Sequence, residues 1–140
     1  MKELSDSLKE FCEKQELLRL AYIDGSGYAR AVPLWFVIIN GNCHVGTGAT
    51  SAKRKAVGNN PHVGWVIDGG ERNHYKGLSE RGHAEEVTDP EWRRRVYDAL
   101  AVKYFGSTGH AKFVEIYGEV DDDDTIYWRL VPEDRISWEY

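Results

Sequence analysis

The stretch Ala49–Pro61, ATSAKRKAVGNNP, gathers the groups of this chain best suited to holding an anion. Thr50 or Ser51 can cap the start of a short helix, and Gly58 with Pro61 supplies its stop. Lys53, Arg54 and Lys55 then fall in the first turn, where the helix dipole is positive and unpaired N–H groups point outward. Each cation placed there costs roughly a few tenths of a kcal/mol. A phosphate monoester would turn that cost into a gain, because backbone N–H groups, the Ser51 or Thr50 hydroxyl and Lys53 would all converge on one dianion. Thr47, just upstream, adds a further hydroxyl. Taken alone, the stretch also fits a surface helix whose lysines serve only solubility.

Other chemistry is poorly supported. The five histidines, at 44, 62, 74, 83 and 110, never fall at helical i,i+4 spacing, so no metal site is expected. Cys12 and Cys43 lack any metal or redox spacing. The net charge of −5 argues against a general nucleic-acid surface. The longest apolar run, Ala31 to Ile39, is too short to span a bilayer, and the charged, polar N-terminus carries no secretory signal. No nucleic-acid or membrane partner is therefore expected, and a cytoplasmic location is.

The elements that must position the basic helix can be read from periodicity. Leu4, Leu8, Phe11 and Cys12 share one face of a helix over residues 5–15, with Ser7 and Glu10 as a capping box. Leu17 to Asp24 reads as a strand, followed by the turn Asp24–Gly27. Tyr28 to Asn40 reads as a second strand, apolar on both faces about its middle, which therefore needs a cover on each. Pro33 removes a ladder donor, so a bulge or an edge position is expected there. Gly41-Asn42 turns into a third strand, Cys43 to Thr47, which feeds the basic helix.

Downstream, His62 to Asp68 and Lys76 to Val87 read as strands around a loop at 69–75. Thr88-Asp89-Pro90-Glu91 opens a helix that ends at Gly106, with Trp92, Val96, Leu100 and Tyr104 on one face and Arg93–Arg95 solvated. Residues 107–124 are ambiguous, with His110 to Tyr117 fitting a helical turn or a short strand, and Asp121–Asp124 reads as a solvated acidic loop. Thr125–Val131 and Ile136–Tyr140 read as two final strands. At 140 residues this is one domain, 1–140, mainly β: six or seven antiparallel strands forming a small barrel with peripheral helices.

An ordered set of short motifs adds to this. Arg30-Ala31-Val32-Pro33-Leu34, Val45-Gly46-Thr47, Ser51-Ala52-Lys53, Asn59-Asn60-Pro61-His62-Val63, Arg81-Gly82-His83-Ala84-Glu85 and the run from Arg129-Leu130-Val131-Pro132 to Ile136-Ser137-Trp138 follow one another at compatible spacing. Together they resemble the pyridoxamine 5′-phosphate oxidase-like, FMN-binding split-barrel superfamily, from about Leu17 onward. The resemblance implies a homodimer of six-stranded split barrels with two flavin sites at the subunit interface. It implies that Arg30 reaches the flavin phosphate and that Val32, Pro33 and Leu34 run along the isoalloxazine edge. It further implies that Thr47, Ser51 and Lys53 hold the phosphate and that Trp138 is supplied by the other subunit.

The departures from that pattern bear on substrate. The enzyme that oxidises pyridoxamine phosphate has a substrate lysine where this chain has Trp35, and an arginine serving the phosphate where it has Ala52. Arg54 is the candidate replacement for that arginine. The family enzyme also continues past the tryptophan matched by Trp138, which here stands two residues before Tyr140. The VPLWF pattern instead resembles the general-purpose branch, which includes FMN proteins and enzymes using the deazaflavin coenzyme F420; other relatives bind haem. The expectation is a flavin-dependent oxidoreductase transferring hydride to or from a small conjugated substrate. An F420-dependent reductase and a non-catalytic flavin or haem carrier are the alternatives. No acid–base residue stands out; Trp35, His74 and Tyr75 are candidates for the substrate face.

Overall fold

A computed structural model describes the whole chain, residues 1–140. It contains strands β1 (Leu18–Ile23), β2 (Ala29–Leu34), β3 (Phe36–Ile39), β4 (Asn42–Gly48), β5 (His62–Glu71), β6 (His74–Glu86) and β7 (Thr125–Glu139). The helices are α1 (Asp6–Glu13), α2 (Ala52–Asn59), α3 (Pro90–Phe105) and α4 (Ala111–Tyr117). No helix is long and apolar enough to cross a membrane.

All seven strands form one antiparallel sheet in the order β2-β1-β5-β6-β7-β4-β3. β2 and β3 lie at opposite edges of it, yet Trp35 alone separates them in the chain. Two edges joined by one residue must meet at that corner, so the sheet curls into a barrel. Away from the corner the edges part. β3 covers β4 only from Asn42 to Val45, which leaves Gly46–Gly48 with β7 on one side and no strand on the other. β2 likewise pairs only with β1. The fold is a mainly β, split antiparallel barrel with helices at its periphery.

The corner is clamped from α3. The Tyr104 hydroxyl accepts the Phe36 N–H at 2.9 Å, and Lys103 Nζ donates to the Phe36 carbonyl at 3.0 Å. Trp35 stacks on Tyr104 with ring centroids 4.4 Å apart. One apolar cluster, built on Leu20, Phe36, Val45, Trp65, Trp128 and Leu130, fills the barrel, and α1 closes it through Leu8 and Cys12. A second cluster, around Val96, Leu100, Phe113 and Tyr127, joins the outer face of the sheet to α3 and α4.

Several details differ from the sequence reading, each for a local reason. The cap of α1 is Ser5, whose hydroxyl accepts the Leu8 N–H, in place of Ser7. The expected long second strand breaks at Trp35 into β2 and β3, and with the two C-terminal strands merged the count is seven, one more than the six-stranded barrel the resemblance implies. Pro33 does sit on an edge strand. The 69–75 segment is no loop: β5 and β6 continue to Glu71 and His74, joined by Arg72 and Asn73, the latter at φ 70°. The two expected C-terminal strands are one. Pro132 pairs with Gly82 where the β6–β7 register shifts, and a Cβ on Gly82 would overlap the Val131 carbonyl. A glycine opposite the proline lets the ladder absorb it.

Residues 107–124 resolve to α4 and a loop. Arg93, expected to be solvated, ties that loop down by donating to the carbonyls of Val120 (2.7 Å) and Thr125 (2.9 Å). Its guanidinium also stands over the Tyr127 ring at 5.3 Å.

Candidate functional site

The first turn of α2 follows directly from the β4 strand that feeds it. Ser51 is the N-cap: its Oγ accepts the Arg54 N–H at 3.2 Å and lies 3.3 Å from Thr47 Oγ1. The two hydroxyls are thus held side by side at the helix start, where N–H groups remain unpaired. Lys53 projects from the same turn into a groove of about 410 Å³ lined by Leu34, Thr47, Gly48 and, across from them, Glu115, Tyr117 and Asp124. It takes part in none of the chain's ion pairs.

The three cations of α2 divide between two grooves. Arg54 bonds Glu86 through Nε (2.9 Å) and Nη2 (3.3 Å), and its Nη1 donates to the Ala49 carbonyl at 3.1 Å. With Lys55 it lines a different groove, beside Glu86. Arg54 is therefore engaged in fastening the α2 approach to the end of β6 and is not available to replace the family arginine at Ala52. Only Lys53 faces the split in the barrel.

The groove occupies that split, with the outer edge of β2 arriving at Leu34 and the uncovered segment Gly46–Gly48 beside it. Unpaired strand edges offer backbone N–H and C=O groups to whatever lies between them. Gly46 makes the far wall possible: a Cβ there would stand 2.7 Å from Tyr117 Cε1.

The structure brings Leu34, Thr47 and Lys53 together in this groove, while Ser51, beside Thr47, lines the adjoining groove of Arg54 and Lys55. Val32, on the same strand, packs against the barrel core, while Pro33 is exposed. Arg30 lies further back along β2, opposite Tyr22, with its guanidinium 3.7 Å from Asp24 and largely in solvent. Trp138 is remote from the groove in its own chain. It pairs with Gly77 at one end of β7, whereas Ile126, twelve residues away, pairs with Thr47. At about 3.3 Å per residue that separation is roughly 40 Å of strand. Of the substrate-face candidates, Trp35 is taken up in the aromatic stack with Tyr104, Phe105 and Tyr117, and His74 and Tyr75 lie on the β5–β6 hairpin.

Sequence reading missed the α4 wall entirely. Phe113 and Tyr117, four apart and followed by Gly118, carry a helical signal, but a seven-residue helix shows too little of its period to decide the assignment. No group of three or more His, Cys, Asp or Glu side chains is placed to hold a metal ion.

The fold is thus a split antiparallel barrel with the start of a short basic helix at its open seam. This chain belongs to the pyridoxamine 5′-phosphate oxidase family, whose profile matches residues 4–138. Among solved structures it is similar to the hypothetical protein Rv2991 of Mycobacterium tuberculosis, at 24% identity and TM-score 0.82, covering 98% of this chain and 86% of that one. It is similar to a candidate pyridoxamine 5′-phosphate oxidase from Listeria innocua (21% identity, TM-score 0.74, 96% and 98% covered). It is also similar to HutZ, the heme storage protein of Vibrio cholerae (21% identity, TM-score 0.67, 99% and 95% covered). At these identities the likeness is one of fold. A search of curated proteins gives no match.

Proposed function

We propose that the chain binds FMN in the barrel split, with the phosphate on Thr47, Ser51 and Lys53, and serves as a flavin-dependent oxidoreductase for a small conjugated substrate. The observation that carries this is the unpaired ammonium of Lys53 in the same groove as two uncovered strand edges. The donor set suits a phosphate dianion: one free cation, two hydroxyls 3.3 Å apart and the open N–H groups of a helix start. The unpaired backbone of β2 suits the polar edge of a flat ring. When bound, FMN would supply hydride transfer; the chain supplies position, exclusion of water and electrostatics.

A second copy of the chain belongs to this reading. β2 exposes Ala29, Arg30, Ala31 and Pro33, with Tyr28 and Ile23 beside them, an apolar strand without a cover. A homodimer would cover it and would carry a Trp138 to the groove that the chain's own Trp138 cannot reach. Coenzyme F420, with a flavin-shaped deazaflavin ring and an anionic tail, is the nearest alternative cofactor.

Lys53→Ala tests the phosphate role. It should weaken FMN binding by about 1.5–3 kcal/mol, the range for a charge-assisted hydrogen bond, when followed by quenching of flavin fluorescence. Riboflavin, which lacks the phosphate, should bind both proteins alike. The stability of the ligand-free variant should hardly fall, because Lys53 has no partner in the chain and opposes the α2 dipole. Equal loss for both flavins would remove the phosphate from this helix.

A further inference from the structure

Tyr117 is the last residue of α4 and belongs to no motif in the chain. Its ring is held on three sides: it stacks on Phe113 (centroids 4.8 Å apart), faces Tyr127 (6.3 Å) and lies against Gly46, with Trp35 6.1 Å away. Only 9% of the residue is exposed. Burial alone pushes its phenol up to about 12; no hydrogen bond contributes. The hydroxyl has no hydrogen-bond partner within the chain, yet it is not sealed from solvent, so it is free to bond a ligand group. Tyr117 also lines the Lys53 groove.

The packing fixes which part of a ligand it would meet. Gly46 precedes Thr47 on β4, so Tyr117 stands toward Leu34 and Trp35, while Ser51 and Lys53 stand beyond Thr47 at the start of α2. An anion on Thr47, Ser51 and Lys53 leaves the remainder of the molecule beside the phenol.

We infer that the Tyr117 hydroxyl is a specificity-determining contact, hydrogen-bonding a polar atom of the ring or sugar-alcohol portion of the flavin, apart from its phosphate. This rests on the flavin reading above. It makes α4, which is held by the second apolar cluster and by the Thr125 hydroxyl on the Tyr117 carbonyl, part of the binding wall, and it selects ligands with a hydrogen-bonding group at that position over purely apolar rings.

Tyr117→Phe removes the hydroxyl and nothing else, and no bond within the chain is lost with it. Wild type and variant would be titrated with FMN and with riboflavin by fluorescence quenching, and melted without ligand. The expected result is about tenfold weaker binding of both flavins, the upper range for one neutral hydrogen bond, at an unchanged melting temperature. Affinities equal to wild type, or a loss confined to FMN, would overturn the assignment. A lowered melting temperature of the ligand-free variant would show that the hydroxyl has a structural partner and would overturn it as well. Failure of the wild type to bind either flavin would instead sink the flavin reading, and this inference with it.

Discussion

Arg135→Met should destabilise the fold by about 3–5 kcal/mol, the cost of stripping one partner from a buried ion pair. Arg135 reaches Glu80 at 2.7 Å, with 13% of the arginine side chain and 5% of the glutamate side chain exposed. The other Glu80 oxygen accepts the Trp65 indole N–H at 3.0 Å, and Trp65 is itself buried in the barrel. Removing the guanidinium leaves a carboxylate inside the fold with a single neutral donor. The double variant Glu80→Gln/Arg135→Met removes both charges and keeps an acceptor for Trp65, so it should recover roughly half of the loss or more. Urea unfolding of the three proteins checks this. A cost below about 1 kcal/mol for Arg135→Met would show that water reaches Glu80 freely.

His44 should make the protein lose stability in mild acid. It is fully enclosed between β4 and α3, stacked on Trp92 at 5.8 Å. Nδ1 lies 2.9 Å from the Asn42 carbonyl, which can only accept, so Nδ1 carries the proton and Nε2 is left without a partner. Burial, with Arg129 and Arg95 adding to it, lowers its pKa from the ordinary 6.5 to about 4. Both guanidiniums stand over Trp92 at 4.8 Å. The unfolded chain takes up a proton below pH 6.5, and the folded chain resists until about pH 4. The stability is therefore complete above pH 6.5 and drains away as the pH falls through that window. At 1.36 kcal/mol per unit the loss is on the order of 3 kcal/mol. Denaturant unfolding of wild type and His44→Phe at several pH values isolates the effect from the carboxylates that titrate nearby. The difference between the two proteins should shrink by that amount from pH 7 to pH 4; parallel profiles would contradict it.

What could be read from sequence was whatever local chemistry determines. The α3 boundaries follow from Asp89 accepting the Trp92 N–H, Pro90 in the first turn and Gly106 at φ 79°, all visible as residue types. The Ser51 cap and the Thr47 strand end are legible for the same reason, and with them three of the groove residues: Leu34, Thr47 and Lys53. The break at Trp35 is not, because nothing in VPLWF forbids a continuous strand. It is imposed by Tyr104 and Lys103, nearly seventy residues away, gripping Phe36. β7 passes through Pro132 because of Gly82 on a neighbouring strand, which a linear reading cannot pair with it. α4 is held by Phe113 and Tyr117 in the second cluster more than by its own seven residues. Its contribution to the groove depends wholly on that tertiary placement.

The central claim is that a phosphate ester of a ring-bearing coenzyme lies in the barrel split with its phosphate at the start of α2. A crystal structure of the protein soaked with FMN tests it most directly. The phosphate is predicted within hydrogen-bonding distance of Thr47, Ser51 and Lys53, with the ring running along the open edge of β2 toward Leu34. FMN density elsewhere on the molecule, with only solvent beside Lys53, would contradict it.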